Sequence, residues 1–204
     1  MSSARLVTCA LLLALLSTPV LFGQVQQPGR LPSDSTKTEP LTLKEKYRIA
    51  LSRSVDPIEF LRIAAGAAID QARNYPEEWG QGWDAFGVRM ASGFGQQLVR
   101  EQIQFGVWAI DREDPRHRRS GLHGVWPRTK YAIVHTFVAR RDDGSQIPAY
   151  SRFIGDYGAG FVSREWYATR FHHVQQGIDA GSVSLGLDVG LNVAREFIPH
   201  WLIH

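Results

Sequence analysis

The chain begins with a short positive start, Met1 to Arg5, and an uncharged, mostly apolar run from Leu6 through Phe22; small Gly23 and a polar stretch from Gln24 follow. This is the layout of a secretory signal peptide over residues 1–23. Cys9 has no apolar run ahead of it, so lipidation there is not expected. Gln24 to Pro40 carries three prolines, several Ser and Thr, and almost nothing to bury, which reads as a flexible spacer over residues 24–40. Beyond the leader the longest uncharged run, Met90 to Val99, is ten residues, where a membrane span needs about 20. No transmembrane helix is therefore expected after signal cleavage.

From Leu41 the pattern becomes that of a folded domain, expected over residues 41–204 and all-α. Thr42 and Glu45 have capping-box spacing and open a helix over about 43–53. Asp56 followed by Pro57 opens a second, running to about Arg73, because proline at the first helical position loses no useful donor. Pro76 with Glu77 and Glu78 opens a third, to about Ile110, and Asp114-Pro115 ends it. After a loop from Arg116 to Gly124, Pro127 starts a short helix to about Val138, although Tyr131, Ile133, His135 and Phe137 also alternate as a strand would. Asp142-Asp143-Gly144 is a turn, and helices over 148–166 and 171–198 complete the set, the last stopped by Pro199.

Small residues recur every fourth position: Ala64, Ala68, Ala72; Gly87, Ala91, Gly95; Gly155, Ala159, Ser163; and Ser182, Gly186, Gly190, Ala194. Such spacing puts them on one helix stripe, where missing side chains let a neighbouring backbone approach. A glycine inside a helix costs about 1 kcal/mol against alanine, so its repetition on one face calls for a packing reason. The expectation is a single helical domain packed through Gly/Ala/Ser faces. Charges recur inside the same helices, and burial requires them to pair: Asp84 with Arg89, Asp156 with Arg152, Asp188 with Arg195. One competing pattern stays open. Val183, Leu185, Leu187, Val189, Leu191 and Val193 alternate strictly, as Ile103, Phe105, Val107 and Ala109 do briefly, so a small outer-membrane β-barrel is the alternative fold.

Composition narrows the function. Hydrophobics at 44% and charges at 21% are ordinary globular values, and a net charge of +3 does not mark a nucleic-acid binder. Removal of the leader takes the only cysteine, which excludes a disulfide, a thiolate metal site and a cysteine nucleophile from the remaining 181 residues. No P-loop, Rossmann fingerprint or GxSxG is present.

The densest charge lies in residues 111–130, where Arg112, Arg116, Arg118, Arg119, Arg128 and Lys130 face Asp111, Glu113 and Asp114, with His117, His123 and Trp126 among them. These six cations are the candidate site for an anion or a lipid headgroup. A solvated basic loop is the plainer alternative. His172, His173 and Asp179 do not form a metal set, because neighbouring helical residues point about 100° apart. Glu77 and Glu78 read as helix-dipole partners rather than as a catalytic carboxylate pair. No metal and no cofactor are expected.

Four pieces, in order, resemble a family of uncharacterised exported bacterial proteins. They are Glu113-Asp114-Pro115-Arg116; Thr136-Phe137-Val138-Ala139-Arg140 running into Asp143-Gly144; Gly158-Ala159-Gly160-Phe161-Val162-Ser163 leading to Trp166-Tyr167; and Asn192 with Glu196-Phe197-Ile198-Pro199. The similarity spans about residues 75–199, and each piece alone is weakly specific. Ala168 stands where a proline is expected, and His200 where an aspartate often follows. The resemblance implies a helical fold, and it carries no activity and no functional residue.

The sequence thus points to an exported, non-catalytic helical protein of the periplasm or cell envelope, partnered by an envelope protein or an anionic membrane surface and not by nucleic acid. A hydrolase using loop carboxylates or histidines is the alternative from another class. Oligomeric state is left open.

Overall fold

In the computed structural model, residues 39–116 and 118–198 are described. The signal peptide, most of the spacer, His117 and residues 199–204 lie outside the described residues, so the expected leader and the stop at Pro199 do too. The two strongest start signals are realised as written. Helix α1 (Leu43–Ser54) opens on a reciprocal capping box, with Glu45 N donating to Thr42 Oγ1 at 3.3 Å and Thr42 N donating to Glu45 Oε2 at 2.8 Å. Helix α2 (Pro57–Ala72) starts with Ile58 N donating to Asp56 Oδ1 at 2.8 Å.

The third helix departs from its expected start. Pro76 leads only into a 3₁₀ turn, Glu77–Trp79, and α3 (Trp83–Asp111) begins after Gly80 and Gly82. Both glycines have left-handed backbone, with φ of 69° and 100°, which breaks any helix running from Pro76. Arg89, one turn and a half into α3, ties this entry down by donating to the carbonyls of Tyr75, Pro76 and Gly80 at 2.8, 3.2 and 3.0 Å. The ambiguous segment satisfies both of its periodicities in turn: α4 (Val125–Phe137) passes directly into strand β1 (Val138–Arg140). That strand pairs antiparallel with β2 (Gln146–Pro148) around the Asp142–Gly144 turn. Helix α5 (Tyr150–Ser163), two short 3₁₀ turns and α6 (Val174–Phe197) complete the chain.

The described residues are therefore all-α apart from one two-stranded hairpin. The β-barrel alternative is overturned: residues 183–193 lie within α6 and 103–109 within α3. A strict apolar alternation is compatible with a helix when nearly every position on its outer side is apolar, and that is the situation here.

Helix α3 packs against α1, α2 and α5, and α6 packs against α5 and α4. Close approach through small residues holds on α5, where Gly155, Ala159 and Ser163 are all buried. A Cβ on Gly155 would lie 2.6 Å from Gln104 Cγ of α3, and one on Gly160 would lie 2.8 Å from the Gly177 carbonyl oxygen and 2.9 Å from Gly181 N of α6. The stripe expected on α6 is corrected. Gly186, Gly190 and Ala194 face outward, and the inward small residues are Gly177, Gly181 and Ser184, ahead of Asp188. Gly87, Ala91, Ala68 and Ala72 likewise face outward.

Two glycines in one chain thus respond with opposite sign. Gly160→Ala pushes against backbone and is expected to destabilise by about 1–3 kcal/mol, whereas Gly186→Ala meets open space and is expected to stabilise by about 0.5–1 kcal/mol. Urea unfolding of the two variants checks this.

Candidate functional site

The helices carry their charges inward. Buried positions of α2 to α6 include Glu59, Arg89, Arg100, Glu101, Asp156, Asp188 and Glu196, while the exposed positions of the same five helices carry only Asp84, Lys130 and Asp179 as charged residues. The outer face of α2 is Pro57, Phe60, Leu61, Ala65, Gly66, Ala68, Ile69 and Ala72, without one charge. On α6, Val183 is 63% exposed and Leu187 43%, while Asp188 and Glu196 are almost fully buried. Water-soluble domains place charged residues in the opposite way.

Pairing makes the polar interior tenable. Arg100 of α3 reaches Asp156 of α5 at 3.0 Å and Asp188 of α6 at 3.1 Å, joining the three central helices. Burial opposes its charge, yet Asp188 and Asp156 hold the guanidinium protonated above its ordinary range. Gln97 accepts from Arg62 at 2.8 Å and donates to Glu101 at 3.0 Å; Glu59 takes ion pairs from Arg62 and Arg195 at 2.7 and 3.2 Å. The expected internal network therefore exists with other partners. Among the described residues Arg152 forms no ion pair with Asp156 and donates to the His135 and Thr136 carbonyls, Arg195 serves Glu59 and Asp56 instead of Asp188, Arg89 serves backbone carbonyls and Gln71, and Asp84 is exposed.

Asp156 is the weak point of the seam. It is fully buried, its Arg100 contact is out of line for a hydrogen bond, and neither carboxylate oxygen accepts one. Burial, reinforced by Asp188 and opposed by Arg100, pushes its carboxyl up to about 7. A raised carboxyl is protonated in the folded chain where the unfolded chain has already ionised. Its favourable contribution is complete at acid pH and disappears as pH rises through about 7. The stability gap between Asp156→Asn and the parent protein is expected to widen in favour of the variant by on the order of 2 kcal/mol between pH 5 and pH 8. Urea titrations at the two pH values check it.

Beside this seam lies a cavity of about 360 Å³. Its floor is formed by buried Gln104, Trp108, Glu113 and Ser151, and its mouth by the exposed Arg118, Arg140 and Gln146. Five guanidiniums (Arg53, Arg116, Arg118, Arg140, Arg152) meet three carboxylates (Glu113, Asp114, Glu196) in its lining. Arg53 lies over the Trp108 ring at 5.1 Å and donates to the Pro115 carbonyl. Arg152 donates to the carbonyls of His135 and Thr136 at 2.5 and 2.7 Å. Burial weakens the hold of both guanidiniums on their protons.

Ser151 donates to Glu113 Oε1 at 2.6 Å, Glu113 Oε2 has no partner, and burial raises this carboxyl against the Ser151 bond. Gln104 Nε2 is also buried without a partner. His135, whose imidazole burial shifts below its ordinary range, stacks on Tyr131 at 3.8 Å and forms a flat wall.

The six cations singled out from the sequence do not meet at one point. Arg116 and Arg118 line the cavity and pair with Asp114 at 2.8 and 3.4 Å. Arg128 pairs with Glu196 at 3.2 Å, and Arg119 donates to the Ile198 carbonyl at 2.6 Å. Arg112 and Lys130 are exposed. Arg53, Arg140 and Arg152, which sequence reasoning missed as site residues, come from α1, β1 and α5 and reach the cavity only through the fold. Glu77, His123 and His172 are exposed and none lines the cavity. Among the described residues no group of three or more His, Cys, Asp or Glu is placed to hold a metal ion.

No family model matches the chain, and neither a curated protein nor a solved structure matches it.

Proposed function

We propose that the protein is an exported, non-catalytic component of the cell envelope whose apolar outer belt is seated in lipid. The observation that supports this reading is the inverted polarity of α2 to α6, with seven charged side chains buried and three exposed on those helices. A partner protein would account for one apolar face, but an almost charge-free exterior on five helices matches a surrounding apolar phase. In such a phase ionisable side chains turn to the bundle interior and pair there, as Arg100, Asp156 and Asp188 do. Among the described residues no helix is long and apolar enough to cross a membrane. The belt is accordingly read as embedding the bundle and not as a set of spans. Exposed Lys130, with Trp126 at 75% exposure, suits an anionic membrane surface at the edge of the belt.

Flotation of the full chain with neutral and anionic vesicles tests the proposal. The protein is expected to float with both, more with the anionic set, and to stay bound in 0.5 M salt because apolar seating is not screened. A monodisperse protein that remains at the bottom of the gradient with both vesicle types would refute it.

A further inference from the structure

The cavity beside the polar seam has the makings of a ligand site, and its chemistry is independent of whether the outer belt meets lipid. Two side chains that are almost fully buried, Gln104 and Glu113, each present a polar atom without a partner, Nε2 and Oε2, and both line this one cavity. Buried polar atoms left unpaired are rare and costly, so two in one cavity call for a group that satisfies them. Among the described residues, Arg53 and Arg152 make hydrogen bonds there to carbonyl oxygens only. Each guanidinium has five N–H donors, so donors remain on both. Guanidiniums outnumber carboxylates in the lining, so the cavity is positive whether or not Glu113 is ionised. A dianion offsets more of that positive charge than a carboxylate does. The volume of about 360 Å³ falls among small-molecule sites and far exceeds an inorganic anion. The stacked Tyr131–His135 wall, Ala132 and Val138 offer the remaining space to an apolar or planar group.

We propose that this cavity holds an organic phosphomonoester, its phosphate cradled by Arg53, Arg152 and the Gln104 amide and its organic part against Tyr131 and His135. Burial favours the protonated form of the Glu113 carboxyl, and in that form Oε2 donates to a phosphate oxygen. The phosphate belongs either to a soluble metabolite or to a lipid headgroup of the same class.

Calorimetric titration of the full chain with phenyl phosphate is the test, with inorganic phosphate as competitor. One-to-one binding is expected, weakened at least about tenfold by Arg152→Gln and by Gln104→Met, since each removes a hydrogen bond to a charged group. Gln104→Met deletes an amide nitrogen that has no partner, so its circular dichroism and melting temperature should match the parent and separate lost binding from lost folding. Arg112→Gln and Lys130→Gln, at exposed positions, should leave the affinity unchanged. If vesicles containing phosphatidic acid displace phenyl phosphate while phosphatidylcholine vesicles do not, the phosphate is that of a lipid; if neither does, it is that of a soluble molecule. The proposal is overturned by absence of saturable binding, by benzoate binding as tightly as phenyl phosphate, or by affinity that survives both cavity variants.

Discussion

Replacing Arg100 with methionine is expected to destabilise the protein by about 3–5 kcal/mol, because it leaves Asp156 and Asp188 in the interior without the cation that ion-pairs both of them across α3, α5 and α6. The reasoning turns on what is left behind. A buried pair contributes little over a well-packed apolar replacement, but one partner alone carries its whole desolvation cost. The triple variant Arg100→Met, Asp156→Asn, Asp188→Asn removes all three charges together and should recover most of the loss. Equal destabilisation of the single and triple variants, by urea unfolding at pH 7, would show that the charges are not coupled and that the side chain of Arg100 acts by packing alone.

The second large effect concerns the outside of the bundle. Leu61 and Leu187 are 68% and 43% exposed, on α2 and α6. In water, an aspartate at either place should change folding stability by no more than about 0.5 kcal/mol. In lipid, each substitution forfeits the transfer energy of a leucine, about 1.5–3 kcal/mol, and adds the cost of moving a carboxylate out of water. Vesicle partitioning of Leu61→Asp and of Leu187→Asp is therefore expected to fall at least about tenfold each, with unfolding in buffer nearly unchanged. Partitioning that matches the parent in both variants would place these leucines in water.

Local signals in the sequence carried far and stopped at the point where direction is decided. Thr42–Glu45 and Asp56–Pro57 read correctly because a cap is a contact within four residues. Pro76 failed as a start because Gly80 and Gly82 intervene, and the preference of proline for the first helical turn does not outweigh two left-handed glycines. The small-residue stripes predicted close helix packing, which Gly155 and Gly160 deliver. Four-residue spacing identifies a face without saying which way it turns, and on α6 the face that turned inward is Gly177, Gly181, Ser184 and Asp188.

That choice depends on the inverted polarity. A reader who sends glycine and valine inward and aspartate outward reverses α6. The buried charge network was legible as a requirement, and its partners were not, since Arg100 meets Asp156 and Asp188 across three helices. For the same reason the basic run 111–130 gave up only Arg116 and Arg118 to the cavity; Arg53, Arg140 and Arg152 come from distant segments. Three short segments, Glu113 to Arg116, Val138 to Arg140, and Asn192 with Glu196, also line it.

The lipid-facing belt is tested most directly by an environment-sensitive label. Cys9 is the only cysteine, so in a Cys9→Ser background a single cysteine at residue 61, 98 or 187 takes one nitrobenzoxadiazole group, with exposed Arg112 as the site of the control. With vesicles, emission from the labels at 61, 98 and 187 should shift to the blue and be quenched by lipids brominated in their acyl chains, while the label at 112 stays as in buffer. Emission at all three belt positions that is the same with and without vesicles, and untouched by brominated lipid, would contradict the account.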